Sequence, residues 1–341
     1  MTTPTLWKTT DESIRMYSVP NLGRMTTLIL FGAAIIGCAS TGTPADEHEW
    51  PAAVIRPDTW FIDLPASVRA SIIWIADHEE GDLSDWEDAG TDTYYAGGGV
   101  FNTGSSTEAH ADLRTDIVHT GDFAVSASIT GAIRAENGTR AVRLMRWTNA
   151  PWNEDGDYFP REAYYSVWAY LPERYDPRKF EPWDTGDGGW WNIFQFKSDN
   201  DAGSQPVAVL NLWWNDETRR MEFYLDTKHY PDPSSDEHEN TTWEQTDPIE
   251  VPIGEWFHLE ARFVKSRIRT GSITIWQNGV QILRADNVIT ELSEQTTWGI
   301  GNYTDHIQAI DIDGNPVGTT GSATVFFDDA AVSLVPVHPY H

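Results

Sequence analysis

The stretch Trp190-Trp191-Asn192-Ile193-Phe194-Gln195-Phe196-Lys197 reads as a β-strand that carries an amide and an amine on one face. Side chains alternate across a strand, so Trp191, Gln195 and Lys197 point one way while Phe194 and Phe196 point the other. Such a strand is apolar behind and polar plus aromatic in front, which suits the floor of a binding groove. An ordinary half-buried strand with a solvated face has the same pattern. A lysine in this setting acts as a base only where burial or a neighbouring cation lowers its pKa; otherwise it binds a carboxylate.

Other constellations are open to similar readings. His258, Glu260 and Arg262 share a face opposite Phe257, Leu259 and Phe263, as substrate contacts or as a solvated sheet face. Arg143 and Arg146 sit three apart in Val142-Arg143-Leu144-Met145-Arg146, so at most one of them lines a groove. Arg143 is preferred, because Val142 and Leu144 then point inward; a surface salt bridge is its other reading. Glu222 and Asp226 share a strand face, but four residues separate them, too far for a retaining glycosidase pair in one strand. There is no Cys/His set for zinc, no Gly-rich phosphate loop and no Gly-x-Ser-x-Gly elbow.

The elements that position these groups are strands. Short apolar or alternating runs recur from residue 71 onward, separated by Gly, Asn, Asp and Pro clusters, and Asn278-Gly279 is the clearest hairpin signal. No helical pattern is long; a turn or two is expected near 172–178 or 287–293. Residues 231–247 read as an acidic mobile loop, and 305–322 as a Gly- and Asp-rich loop. The expectation is an all-β domain over 71–336, a two-sheet antiparallel β-sandwich of jelly-roll, concanavalin A-like type, with a tail at 337–341.

Composition narrows the partners. With 23 basic against 52 acidic residues, the net charge of −29 argues against nucleic acid. The 17 Trp exceed what a core alone would use, and aromatic faces pack on sugar rings. The single cysteine, Cys38, allows no internal disulfide. It follows Arg24 and the apolar run from Leu28, in an Ile35-Ile36-Gly37-Cys38 context that resembles a bacterial lipobox. The expectation is a signal peptide over 1–37, lipidation of Cys38, and a tether and N-terminal extension over 38–70. The protein would then be a monomer at a bacterial cell surface, touching membrane only through its lipid.

Several blocks together resemble a known family. They are Tyr164-Tyr165-Ser166-Val167-Trp168-Ala169-Tyr170-Leu171-Pro172, Trp191 to Lys197, Gly254-Glu255-Trp256-Phe257-His258, Trp276-Gln277-Asn278-Gly279 and Phe326-Phe327-Asp328-Asp329. This succession is similar to the heparin lyase I-like polysaccharide lyases of the concanavalin A-like jelly-roll superfamily. The resemblance implies β-elimination on a uronic-acid polysaccharide. One group neutralises the substrate carboxylate, a base takes the C5 proton, and an acid protonates the leaving oxygen. It implies Gln195 and Arg143 at the carboxylate and Tyr303, in Gly301-Asn302-Tyr303, as the acid and also a candidate base. Lys197 stands where a histidine base is usual in related lyases, which leaves the base open. His306, near Tyr303, is a further proton-transfer candidate.

Jelly-roll carbohydrate domains commonly hold calcium between their first and last strands, so Glu80, Asp82 and Asp329 are expected to supply ligands to a structural ion. Acidic turns in an acidic protein are the other reading. Two rival functions remain. A non-catalytic glycan-binding module would stack sugars on Trp191, Trp213 and Tyr170, with Arg146 and His258 as further contacts. A glycoside hydrolase ranks last, for want of a carboxylate pair.

Overall fold

A computed structural model describes residues 53, 55–86, 98–103, 106–130, 140–147, 160–175, 191–215, 217–293, 296–304 and 322–338. Fifteen strands run through them. In chain order they are β1 Ile72–Ala76, β2 Gly98–Thr103, β3 Ala109–Arg114, β4 Ala124–Thr130 and β5 Arg140–Trp147. Then come β6 Glu162–Tyr170, β7 Trp191–Asn200, β8 Gly203–Asn215, β9 Arg220–His229 and β10 Glu239–Trp243. The last five are β11 Trp256–Val264, β12 Gly271–Gln277, β13 Val280–Val288, β14 Thr296–Thr304 and β15 Ser322–Ser333.

Sheet A runs β13-β12-β11-β6-β15-β4-β3, with β1 also paired to β15; sheet B runs β10-β9-β8-β7-β14-β5-β2. The pairings are antiparallel, and the architecture is the jelly-roll sandwich that the turn-separated runs anticipate. Asn278 and Gly279 join β12 to β13 with φ of 48° and 79°, the left-handed pair that a two-residue primed turn requires.

The inward faces meet in one aromatic-rich core. Phe196 of β7 stacks on Phe263 of β11 with ring centroids 3.9 Å apart. Trp74, Trp86 and Trp298 form a second knot between the sheets, their centroids 5.0 to 5.9 Å apart. Asn302 is a buried polar cross-link within this core. Its Nδ2 donates to the carbonyls of Ala127 (2.9 Å) and Ala323 (3.0 Å), tying β14 to two strands of sheet A.

Several sequence expectations change. Residues 239–243, inside the stretch read as a mobile loop, form β10, which pairs with β9 along its whole length. β2 and β3 carry no clear apolar run and escape sequence reading. Helical turns occur at Trp60–Asp63, Ala66–Arg69 and Glu173–Tyr175; residues 287–293 form none.

The outer face of sheet A is covered by its own chain ends. Phe61, Leu64, Val68, Ile72, Ala331 and Val337 make a small second core there. His258 and Glu260, read as a solvated pair, are both buried. Glu260 accepts the Val337 N–H at 2.6 Å and bonds the His338 ring, so residues 337–338 pack rather than trail. The described residues all fall in the unit Trp50–His341. The expected signal peptide, Cys38, residues 38–52 and 54 of the tether and extension, and the loop at 305–321 with His306 lie outside the described residues.

Candidate active site on sheet B

The outer face of sheet B is built on β5, β14, β7, β8 and β9. In β5, Val142 and Leu144 enter the core, which turns Arg143 and Met145 outward. In β14, Trp298, Ile300 and Asn302 are buried inward, so Thr297, Gly299, Gly301 and Tyr303 line the outer face. Two glycines keep that floor low. A Cβ at Gly301 would crowd the Val142 carbonyl and come within 2.9 Å of Arg143 Cα. A Cβ at Gly299 would run into Met145, whose Cε would be 3.1 Å away. The glycines therefore let the outward β5 side chains lie across β14.

Arg143 uses this clearance. Its guanidinium carbon lies 4.0 Å from the centroid of the Tyr303 ring, a cation–π contact. Among the described residues, its Nε is buried without a hydrogen-bond partner. Gln195 sits opposite Gly299, one strand away. It is nearly buried, and among the described residues its amide nitrogen meets only the Met145 thioether, at 4.0 Å. A thioether is a weak acceptor, so this amide keeps its donors for a ligand.

Lys197 lies on the same face but farther along. It pairs with Thr297, whereas Tyr303 pairs with Asn192. Six residues of β14 separate Thr297 from Tyr303, roughly 17–20 Å at strand rise. The structure thus brings Arg143 and Tyr303 together, sets Gln195 against Met145 with its β14 partner Gly299 four positions from Tyr303, and holds Lys197 two positions farther along. Asp199, two residues beyond Lys197, has its carboxyl pushed up by burial; a Ser204 hydrogen bond and the Lys197 charge oppose that shift.

Trp191 does not line this face. A bulge between Asn192 and Phe194 breaks the alternation, and Trp191 turns into the core, where its Nε1 donates to Asn302 Oδ1 at 2.7 Å. Arg146 also faces inward, its guanidinium 5.5 Å from the Trp74 ring. Tyr170 and His258 belong to sheet A, on its outer face, with Tyr170 tilted against Trp256 and His258 beneath Trp60 and Trp168. None of these four can touch a ligand bound on sheet B. Burial pushes the His258 imidazole down to about 3, with the His338 and His119 charges acting the same way.

Trp213 of β8 is placed on the sheet B face, in edge contact with Tyr224 at 5.9 Å. Sequence reading missed Tyr224, Met145, Asn211 and Lys228. Even-numbered residues of β9 point outward, because Met221, Phe223 and Leu225 fill the core, and that alternation was the available signal. Two of the chain's five lysines, Lys197 and Lys228, thus share this face with Arg143 in a protein of net charge −29. Glu222 and Asp226 are committed to structural bonds. Glu222 accepts from Asn215 (2.9 Å) and Thr218, and Asp226 from Thr242 (2.6 Å) and Asn211 (3.3 Å).

The residues expected to hold calcium are not brought together. Glu80 is exposed and pairs with Arg56. Asp82 is exposed and accepts the Ser84 N–H at 2.9 Å. Asp329 is buried where β15 passes from β4 to β1, at φ 46°. Its Oδ2 bonds His119 Nδ1 and Thr120 Oγ1, both at 2.7 Å, while its Oδ1 has no partner among the described residues. Burial and the neighbouring Asp328 charge hold its carboxyl well above the usual range. Among the described residues, no three His, Cys, Asp or Glu are grouped to hold a metal ion. The three therefore do not fit a calcium site.

Comparison with known proteins places the chain. No curated protein sequence matches it. Its fold is similar to an endo-beta-1,4-glucuronan lyase from the fungus Trichoderma reesei, at 18% identity and TM-score 0.48, covering 72% of this chain and 92% of that one. It is also similar to a PL-14 alginate lyase from Aplysia kurodai, at 10% identity and TM-score 0.42, covering 78% and 100%. The alginate lyase vAL-1 from Chlorella virus matches at 12% identity and TM-score 0.40, covering 69% and 90%. The family model described as polysaccharide lyase matches residues 78–331, from the turn after β1 to the closing strand β15. By that match, the chain belongs to the polysaccharide lyase family.

Proposed function

We propose that this protein cleaves a uronic-acid-containing polysaccharide by β-elimination on the outer face of sheet B. The observation that carries this reading is the Arg143 guanidinium 4.0 Å over the Tyr303 ring, with the Gln195 amide on the adjacent strand. Arg143 and Gln195 receive the substrate carboxylate and spread its charge, which makes the neighbouring C5 proton acidic. Tyr303 takes that proton as its phenolate. The C5–H electron pair becomes the C4–C5 double bond, the C4–O bond breaks, and Tyr303 returns the proton to the departing oxygen. Lys197, two residues beyond Gln195 on the same face, binds the carboxylate of a neighbouring sugar. Trp213 and Tyr224 stack on sugar rings farther across the face.

The finer kinship with heparin lyase I-like enzymes rests on the sequence blocks alone. Lipidation at Cys38 and a place at a bacterial cell surface likewise rest on the lipobox-like segment. The test is ultraviolet absorbance of unsaturated uronic products, with the protein incubated against alginate, glucuronan and heparin-like polymers. A rise that disappears in Tyr303→Phe is the expected result. No rise on any polymer, with retention in affinity electrophoresis, would make this face a binding surface and remove the catalytic roles.

A further inference from the structure

The cover that the chain ends lay over sheet A reaches Trp168 and His258, which Trp60 meets edge-on at 5.8 and 5.6 Å. The next row of side chains holds a different surface. Antiparallel pairing sets Trp256 of β11 opposite Tyr170 of β6, and Tyr170 opposite Phe326 of β15. Phe257, Ala169 and Phe327 of the same strands fill the core, so these three rings stand outward. Trp256 and Tyr170 have centroids 5.6 Å apart, and both keep part of their surface exposed. Phe326 is buried edge-on against Tyr170 at 5.8 Å, under the Arg114 guanidinium.

A polar group is set rigidly at the end of this row. The His119 ring stacks on Trp168 at 3.8 Å and meets Trp256 at 5.7 Å. Its backbone N–H donates to Asp328 Oδ2 at 2.9 Å. With its Nδ1–H donating to Asp329 Oδ2 at 2.7 Å, Nε2 is left as an acceptor, and it makes no hydrogen bond among the described residues. The side chain is 15% exposed. Burial pushes the imidazole down to about 4, against the Asp328 charge, so the ring is neutral at pH 7.

The surroundings select the ligand. Arg114 is engaged by Asp116 through two bonds, at 2.9 and 2.6 Å. Asp112 continues the row beyond Ser126, and the exposed Glu255 precedes Trp256. A neutral imidazole among carboxylates offers nothing to a uronate, a phosphate or an anionic lipid, and a net charge of −29 opposes a second copy. Two half-exposed rings beside a hydroxyl acceptor suit an uncharged sugar, whose C–H face stacks while its edge hydroxyl bonds.

We propose that Trp256, Tyr170 and His119 form a second glycan site, on sheet A, which takes an uncharged hexopyranose unit of a neutral polysaccharide. The site lies on the other sheet from Arg143 and Tyr303, and it stands whether or not elimination occurs there.

The full chain, Trp256→Ala and Tyr170→Ala are run in affinity gels cast with hydroxyethylcellulose, galactomannan or xyloglucan, with alginate as the acidic control. Melting temperature checks the fold of each variant. At least one neutral polymer should retard the parent, and its dissociation constant should rise about three- to tenfold in each variant, as loss of one stacking contact implies. Retardation by that polymer should be unchanged in Tyr303→Phe, and behaviour toward alginate unchanged in Trp256→Ala. Trp256→Leu keeps apolar packing beside His119 but loses the flat ring, and carries the test if Trp256→Ala melts low. A parent that no neutral polymer retards, or retardation that survives both substitutions, would overturn the site. Retardation lost in Trp213→Ala instead would move the ligand to sheet B. A dimer in sedimentation that Trp256→Ala dissolves, without neutral-glycan retention, would give the row to a second copy. Either result also overturns the proposal.

Discussion

Gly301→Ala tests the floor on which the candidate site stands. The new Cβ would lie 2.9 Å from Arg143 Cα and closer still to the Val142 carbonyl oxygen. Both obstacles are backbone atoms of β5, held between β14 and β2, so no rotamer change relieves them. Overpacking costs typically about 1–3 kcal/mol, and an obstacle made of backbone belongs at the upper end. At about 2–4 °C per kcal/mol for a domain of this size, melting should fall by about 6–12 °C. Activity should fall further, because β5 must shift to make room and it carries Arg143. A misplacement of about 1 Å can cost a hundredfold in rate. The companion Gly299→Ala meets mainly the Met145 side chain, which can rotate away, and should cost about 1 kcal/mol. Scanning calorimetry and the unsaturated-product assay on both variants decide the matter. A Gly301→Ala protein that melts with the parent and keeps its rate would refute the β5–β14 register and the site built on it.

Two tryptophans should separate by role. Trp191→Phe gives up the buried bond to Asn302 and should cost about 1–2 kcal/mol by denaturant titration, with glycan affinity unchanged. Trp213→Ala should leave stability nearly intact and weaken glycan retention in affinity gels; the reverse pattern would put Trp191 back on the binding face. Acid should destabilise the protein through His258. An unfolded histidine titrates near 6.5 while this one is held to about 3, so the unfolded chain alone gains the proton as pH falls between those values. Stability should therefore drop by up to about 1.4 kcal/mol per pH unit from this group, with the partly buried His119, pushed down to about 4, adding to it. Urea midpoints at pH 7 and 5 should converge in His258→Phe; an unchanged gap would show that the ring is hydrated.

Legibility followed the locality of each cause. Alternation alone was enough to send Arg143 outward and Phe194 and Phe196 inward, because those causes lie within one strand. Trp191 misled because a bulge two residues on inverts its face, and bulges leave little trace in composition. β10, Glu-Asn-Thr-Thr-Trp, is polar because it is an edge strand with most of its length exposed, so it resembled a loop. His258 and Glu260 alternate as a solvated face would. What covers them arrives from residues 55–70 and 334–338, far away in sequence. The acidic turn near Glu80 follows β1, which pairs with β15 next to Asp328-Asp329, but residue spacing does not reveal which oxygens converge there.

The pairing of Ile72 with Ser333 sets an order on manufacture. Among the described residues β1 pairs with β15 alone, about 260 residues later, and β15 also separates β6 from β4 within sheet A. A ribosome releasing this chain therefore exposes most of sheet A before the strand that closes it exists. Long-range closure of this kind is slow, and unpaired edges invite other chains while it waits. Truncation ahead of residue 322 should thus leave two unmatched half-sheets rather than a smaller domain, and growth in the presence of a chaperone that shields strand edges should raise the yield of the intact chain.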